Sequence, residues 1–187
     1  YSRYVSARLE NRLRAILRAA DGVMCANEFL AERCRVHNKN VRVVPMAIDL
    51  QPFARAQAPK EFTLGWTGGP GNLELLKICE EPVGEFLRAH PQAKLKIMCG
   101  VRPKLALPFD HVMWTANGEA EFVKGLSVGL LPLDQTSEFT LGKSPIKALM
   151  YGAAGVPIVG TMTHGGAAEI AAGGGCRVVR TAQEWRT

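Results

Sequence analysis

The chain has 187 residues, of which 47% are apolar or aromatic and 21% charged, and its net charge is +6. That balance suits a globular α/β chain large enough to bury a core without staples, and it excludes fibrous and disordered classes. Five widely spaced cysteines with no Cys-x-x-Cys pair indicate neither a zinc site nor a disulfide framework, so a reducing cytoplasm is the simplest compartment, and no apolar run is long enough to span a membrane.

In chain order, the first predicted element is a helix over 1–20. Its apolar stripe of Val5, Leu9, Leu13, Ile16, Leu17 and Ala20 is surrounded by Arg3, Arg8, Arg12, Arg14 and Arg18. It reads as a surface helix packed by its stripe, or, more sharply, as a peripheral patch for an anionic membrane. A nucleic-acid reader would interleave basic residues with stacking aromatics, and at 7% aromatic this chain does not. Val23–Ala26 reads as a short strand, Asn27 as the cap of a helix to about Arg35, and Val41–Val44 as a strand closed by Pro45. Leu50–Lys60, with Pro52 and Pro59 and little periodicity, reads as a linker. From Phe62 onward strands and helices alternate, as in a doubly wound parallel sheet. Strands are expected at Phe62–Thr67, Ala93–Cys99, His111–Trp114, Val128–Leu131, Ile158–Val159 and Arg177–Val179. Helices are expected over Asn72–His90, kinked or broken at Pro82, over Gly118–Lys124 and near Ala167–Ala172. The chain opens without Met and stops where Gln183–Arg186 reads as a helix just starting, so a longer polypeptide is expected.

The densest signal runs from Gly142-Lys143-Ser144-Pro145-Ile146-Lys147 to Gly155-Val156-Pro157-Ile158-Val159. Ser144 is a suitable N-cap and Pro145 suits the first helical position. Unpaired N–H groups and the positive end of the helix dipole then lie beside Lys143 and Lys147, one turn apart. The segment reads as an anion site suited to a phosphate or diphosphate, or as an ordinary capped helix with solvated lysines. In a doubly wound sheet ligands bind at the carboxyl ends of the strands, and three such ends carry glycines: Gly68-Gly69-Pro70-Gly71, Gly100-Val101-Arg102 and Gly165-Gly166.

This segment resembles the nucleotide-sugar site of the group-1, GT-B fold glycosyltransferases, in the branch reading Gly-Lys, a second Lys, then Tyr-x-Ala-x-Gly-x-Pro-Val-Val. Val43-Val44-Pro45-Met46-Ala47-Ile48-Asp49 resembles the interdomain segment of that family, and Leu64-Gly65-Trp66-Thr67-Gly68-Gly69 its first donor-domain strand and turn. Ser127–Leu133 and Gly165-Gly166-Ala167-Ala168-Glu169-Ile170 resemble the stretches on either side of the site. The resemblance implies an α/β, Rossmann-like donor-binding domain over 62–187, truncated at its C-terminus. Residues 1–50 are then the tail of a preceding acceptor-side domain and 51–61 the linker. The implied activity is binding of a nucleotide diphosphate sugar for retaining transfer to a glycan or lipid-linked acceptor, in the cytoplasm or at the inner face of a membrane. No nucleic acid, metal or cofactor is expected, because the helix terminus and basic side chains neutralise the leaving diphosphate.

The implied donor-binding residues are Gly68, Gly69, Arg102, Trp114, Glu138, Lys143, Lys147, Met150, Gly165 and Gly166, with Val112 and Glu119 as further candidates near the base. Trp114 reads equally as a base-stacking ring or as core, and Arg102 as a phosphate contact or a solvated arginine. Both glutamates common in the family are missing, their places held by Gly142 and Met150, and Met150 is a poor acceptor for a ribose hydroxyl. Glu138 is the substitute carboxylate the sequence offers. Those losses keep a second reading open, a degenerate, non-catalytic binding or assembly module. No catalytic base is assigned.

Overall fold

Strands buried on both faces lose the in–out alternation of a half-exposed strand, and Thr63-Leu64-Gly65-Trp66-Thr67 is buried at every position. In the computed structural model, which describes residues 7–54, 58–134, 136–161, 165–181 and 183–186, this segment is β3, the centre of a parallel sheet. The elements before it are α1 (Ala7–Ala19), β1 (Val23–Cys25), α2 (Glu28–Arg35) and β2 (Val41–Val43). After it come α3 (Glu80–Ala89), β4 (Lys94–Cys99), β5 (Asp110–Met113), α4 (Glu119–Lys124) and β6 (Val128–Leu131). The chain then forms α5 (Glu138–Leu141), α6 (Ile146–Ala153), β7 (Ile158–Gly160), α7 (Gly165–Ala172) and β8 (Cys176–Val178). The six-stranded sheet has the order β5-β4-β3-β6-β7-β8, and β1 and β2 pair separately as a two-stranded parallel sheet. The larger sheet is the doubly wound arrangement expected from the alternation, with its strand order reversing between β3 and β6.

Two cores lie on opposite faces of this sheet. Leu64, Trp66 and Leu130 face one cluster, closed by Leu76, Val83 and Leu87. On the other face Gly65 and Gly129 are paired neighbours across β3 and β6. Together they leave a trough: a Cβ at Gly65 would stand 2.2 Å from Leu126, and one at Gly129 2.7 Å from the Tyr151 ring. Leu126 and Tyr151 fill that trough completely, each 0% exposed. Packing at this density holds α6, the helix that carries Lys147, against the centre of the sheet.

Several expectations are revised. The helix expected over Asn72–His90 is a 3₁₀ helix, Pro70–Ile78, followed by α3, and the break falls at Cys79 rather than at Pro82. Pro82 lies in the first turn of α3, where a missing N–H costs no intrahelical bond. The segment expected as a linker contains a 3₁₀ turn, Gln51–Phe53, and Phe53 and Ile48 rest against the cluster around Tyr151. The last turn, Glu184–Arg186, is also 3₁₀, and Arg186 binds Glu85 at 2.7 Å. α1 has no buried residue, and Leu13 and Ile16 of its stripe are more than half exposed. Tyr1, Arg3 and Val5 of the expected first helix lie outside the described residues. Among the described residues no helix is long and apolar enough to cross a membrane.

Candidate functional site

Because the order of strands reverses between β3 and β6, the loops leaving their carboxyl ends diverge and open a crevice. Two adjoining depressions occupy it, of about 200 and 330 Å³. The first runs from Trp66–Gly69, Asn72 and Leu75 to Leu131–Leu133, Thr140 and the start of α6. The second is walled by Gly100, Trp114 and Glu119, and both share Gly68, Gly69 and Lys147.

The front of α6 faces the first depression with residues Lys143 to Ala148. Ser144 is not the cap: Lys143–Pro145 run on from the end of α5, Pro145 is the N-cap residue, and no side chain caps the helix. Intrahelical bonding begins with the Leu149 N–H donating to Pro145 O. The N–H groups of Ile146, Lys147 and Ala148 precede that bond, so the helix front is a donor-rich end beside two lysines. Lys143 is half-buried, and its Nζ donates to Asn72 Oδ1 at 2.6 Å. Burial without a carboxylate partner lowers its pKa from the ordinary lysine value. A bound anion would supply the opposite charge that this cation has no carboxylate to provide.

Lys147 is arranged differently. Its Nζ lies 2.5 Å from Glu119 Oε1, an oxygen that also accepts from Thr67 Oγ1 at 2.6 Å. Burial opposes ionisation of Glu119, but the hydrogen bonds from Lys147 and Thr67 and the lysine charge outweigh it, with a smaller contribution from Trp114, and hold its pKa below the usual carboxylate value. The Thr67 N–H donates to Tyr151 Oη at 3.3 Å, so the floor of the crevice is tied to the core of α6.

The expected site residues divide into two groups. Gly68, Gly69, Trp114, Lys143 and Lys147 meet in the crevice, and Trp114, 44% exposed, lines it rather than filling the core. Gly68 is required by packing, since a Cβ there would stand 2.5 Å from the Trp66 ring, and its N–H already donates to Met98 O. The others lie elsewhere. Glu138 turns away to pair with Arg33 of α2 at 2.6 Å, and Arg102 sits over the Phe109 ring at 5.0 Å and lines neither depression. Met150 is 5% exposed in the core around Tyr151. Gly165 and Gly166 form the start of α7 rather than a loop. Sequence reasoning missed Asn72 and Thr67, whose residue types carry no signal until the fold brings them to the lysines. Among the described residues no group of three or more His, Cys, Asp or Glu could hold a metal ion.

No protein-family model and no curated protein sequence matches the chain. Solved structures do. The chain is similar to a point mutant of S. aureus TarM in complex with fondaparinux, α-GlcNAc-glycerol and UDP, at a TM-score of 0.59 and 11% identity, over 86% of this chain and 34% of that one. It is similar to the pneumococcal O-GlcNAc transferase GtfA in complex with UDP and GlcNAc, at a TM-score of 0.52 and 12% identity, over 92% of this chain and 34% of that one. A third is the E. coli trehalose-6-phosphate protein bound with UDP-2-fluoro glucose, at 0.53 and 13% identity, over 79% and 42%. The chain spans about a third of the length of TarM and GtfA. At these identities the likeness is one of fold, and the fold is that of the GT-B glycosyltransferases.

Proposed function

We propose, starting from the GT-B fold, that the crevice between β3 and β6 binds a nucleotide diphosphate sugar, and that the chain is the donor-binding part of a retaining glycosyltransferase. The observation that carries this reading is the meeting of Lys143, Lys147 and the front of α6 at the switch point of the sheet. A diphosphate there would accept from the first-turn N–H groups and take the half-buried charge of Lys143. The second depression offers the nucleoside an exposed ring, Trp114, and a carboxylate, Glu119, which can accept ribose hydroxyls in place of the glutamate missing at Met150. Lys147, shared between Glu119 and the first depression, would join the two parts of the ligand. Residues 1–50 are proposed as the end of an acceptor-side domain, with a glycan or lipid-linked acceptor bound outside this chain. The free cysteines, three of them buried, suit the reducing cytoplasm.

The reading is tested by calorimetry on the chain with UDP, GDP, UMP and uridine. It expects a diphosphate to bind clearly more tightly than the monophosphate and the nucleoside. Equal affinity for UDP and uridine removes the phosphate site. A second reading, a module that keeps the fold and nucleotide affinity but performs no transfer, is favoured by the burial of Met150 where the family carries a glutamate. Hydrolysis or transfer from UDP-glucose and UDP-GlcNAc by a longer polypeptide containing this chain would exclude it.

A further inference from the structure

We infer that α2, which lies outside the six-stranded sheet, holds the loop bearing Lys143 in place, and that Asn27 is its positioning residue. The inference rests on the donor-site reading for its functional consequence but not for its structural content.

Asn27 is 2% exposed and lies between β1 and α2 in extended backbone (φ −155°, ψ 168°). Its Oδ1 accepts from the Leu30 N–H at 3.0 Å and so caps α2. Its Nδ2 points the other way and donates to Leu141 O at 3.2 Å and Lys143 O at 3.3 Å. Those carbonyls flank Gly142 in the turn between α5 and α6. The N–H groups of the same turn are spent within α5: Gly142 N donates to Glu138 O and Lys143 N to Thr140 O, each at 3.1 Å. One buried amide therefore serves two purposes, ordering α2 and fixing the main chain of the lysine loop.

The same face of α2 repeats the contact at helical spacing. Leu30 lies so close to Gly142 that a Cβ there would stand 3.1 Å from its Cδ2, and Arg33 binds Glu138 at 2.6 Å. Asn27, Leu30 and Arg33 are three residues apart, as one helix face requires. On the other side of the loop Lys143 Nζ is held by Asn72. The main chain of Lys143 is thus anchored to the small unit containing β1 and β2, and its side chain to the 3₁₀ helix after β3. A shift of α2 displaces the phosphate-facing lysine.

The test separates capping from anchoring. Asn27→Asp and Asn27→Ser both keep an oxygen that can cap α2, but neither places an N–H donor against Leu141 O and Lys143 O. Hydrogen exchange on the full chain is the ligand-free readout. In both variants the hydrogen-bonded amides of Gly142, Lys143 and Leu149 should exchange faster while those of α2 keep their protection; unchanged exchange at these three overturns the anchor. Calorimetry is the functional readout. UDP affinity should fall by about tenfold, the scale of losing one or two net hydrogen bonds, while uridine affinity stays at the parent value. A variant that speeds exchange at Gly142, Lys143 and Leu149 yet binds UDP like the parent overturns the positioning role, and so does an equal loss for UDP and uridine. If the parent shows no preference for UDP over uridine, the donor-site reading fails, and exchange at Gly142, Lys143 and Leu149 still decides the anchor.

Discussion

Replacing Lys143 with Met isolates the phosphate site from the fold. Met reproduces the length of the lysine stem and adapts its packing, so the change removes a charge and three N–H donors with little loss of volume. In the free protein the loss is one hydrogen bond, Nζ to Asn72 Oδ1, together with a cation–π contact to the Phe139 ring at 4.9 Å, worth about 1–2 kcal/mol in all. Against it stands the relief of a half-buried cation whose lowered pKa reports its desolvation. The two nearly cancel, so stability should change by less than about 1 kcal/mol, or about 2–4 °C in Tm for a chain of this size. In the complex the lysine donates a charge-assisted bond to phosphate while a second of its protons keeps Asn72. Losing it should cost about 1.5–3 kcal/mol, roughly 10- to 150-fold in Kd. Titration calorimetry with UDP at fixed ionic strength, with a melting curve on the same sample, reads both quantities. Lys147→Met should weaken UDP less, because Glu119 already balances that charge. A Lys143→Met chain that binds UDP within about twofold of a binding parent refutes the reasoning. So does a Tm drop well beyond about 4 °C, which would make Lys143 a structural residue.

Three further perturbations probe the frame around the site. Met150→Glu should lower Tm without improving UDP affinity, since it removes about 1.5–3 kcal/mol of apolar burial and buries a carboxylate that must compete with Glu119 for Lys147; tighter UDP binding at unchanged Tm would instead place residue 150 at the ribose. Gly160→Ala should destabilise by about 1–3 kcal/mol in denaturant titration, because its Cβ would stand 2.4 Å from the main-chain oxygen of Leu131 and force β6 and β7 apart, whereas a silent substitution would contradict that close approach. Glu119 has a folded pKa below its unfolded value of about 4.5, so the stability it contributes is present above that pH and lost as pH falls through the folded value. Glu119→Gln should therefore flatten the stability profile below about pH 4.5 relative to the parent, and parallel profiles would remove the Glu119–Lys147 coupling.

How far the site was legible depends on whether each residue announces itself locally. Lys143 and Lys147 did, because a lysine pair beside a turn and a helix start is a local pattern. Glu138 was read as a donor carboxylate from its place ahead of Gly142, but α5, only four residues long, carries no periodicity and swings its carboxylate to Arg33, 105 positions earlier. Trp114 reads equally as core or ligand in the sequence because the pattern carries the strand through it; the strand ends one residue earlier, at Met113, which leaves the ring outside the sheet. Ser144 matched the composition of a cap, yet capping needs a helix that begins immediately after it, and the turn out of α5 delays that start.

By itself the sequence determined the elements whose causes are local. The alternation of buried strands and helices and the Asn27 cap follow from side-chain size, backbone preference and periodicity within a few positions. Tertiary structure decided what those elements face. The pairing of Lys147 with Glu119, of Lys143 with Asn72, and of Asn27 with the lysine loop joins residues 28, 71 and 116 positions apart. Their distances are set by strand order, and strand order is a property of the whole sheet: β3 lies between β4 and β6, where Gly65 and Gly129 stand together and leave room for Leu126 and Tyr151. The crevice, and the charge it holds, exist only once that packing is complete.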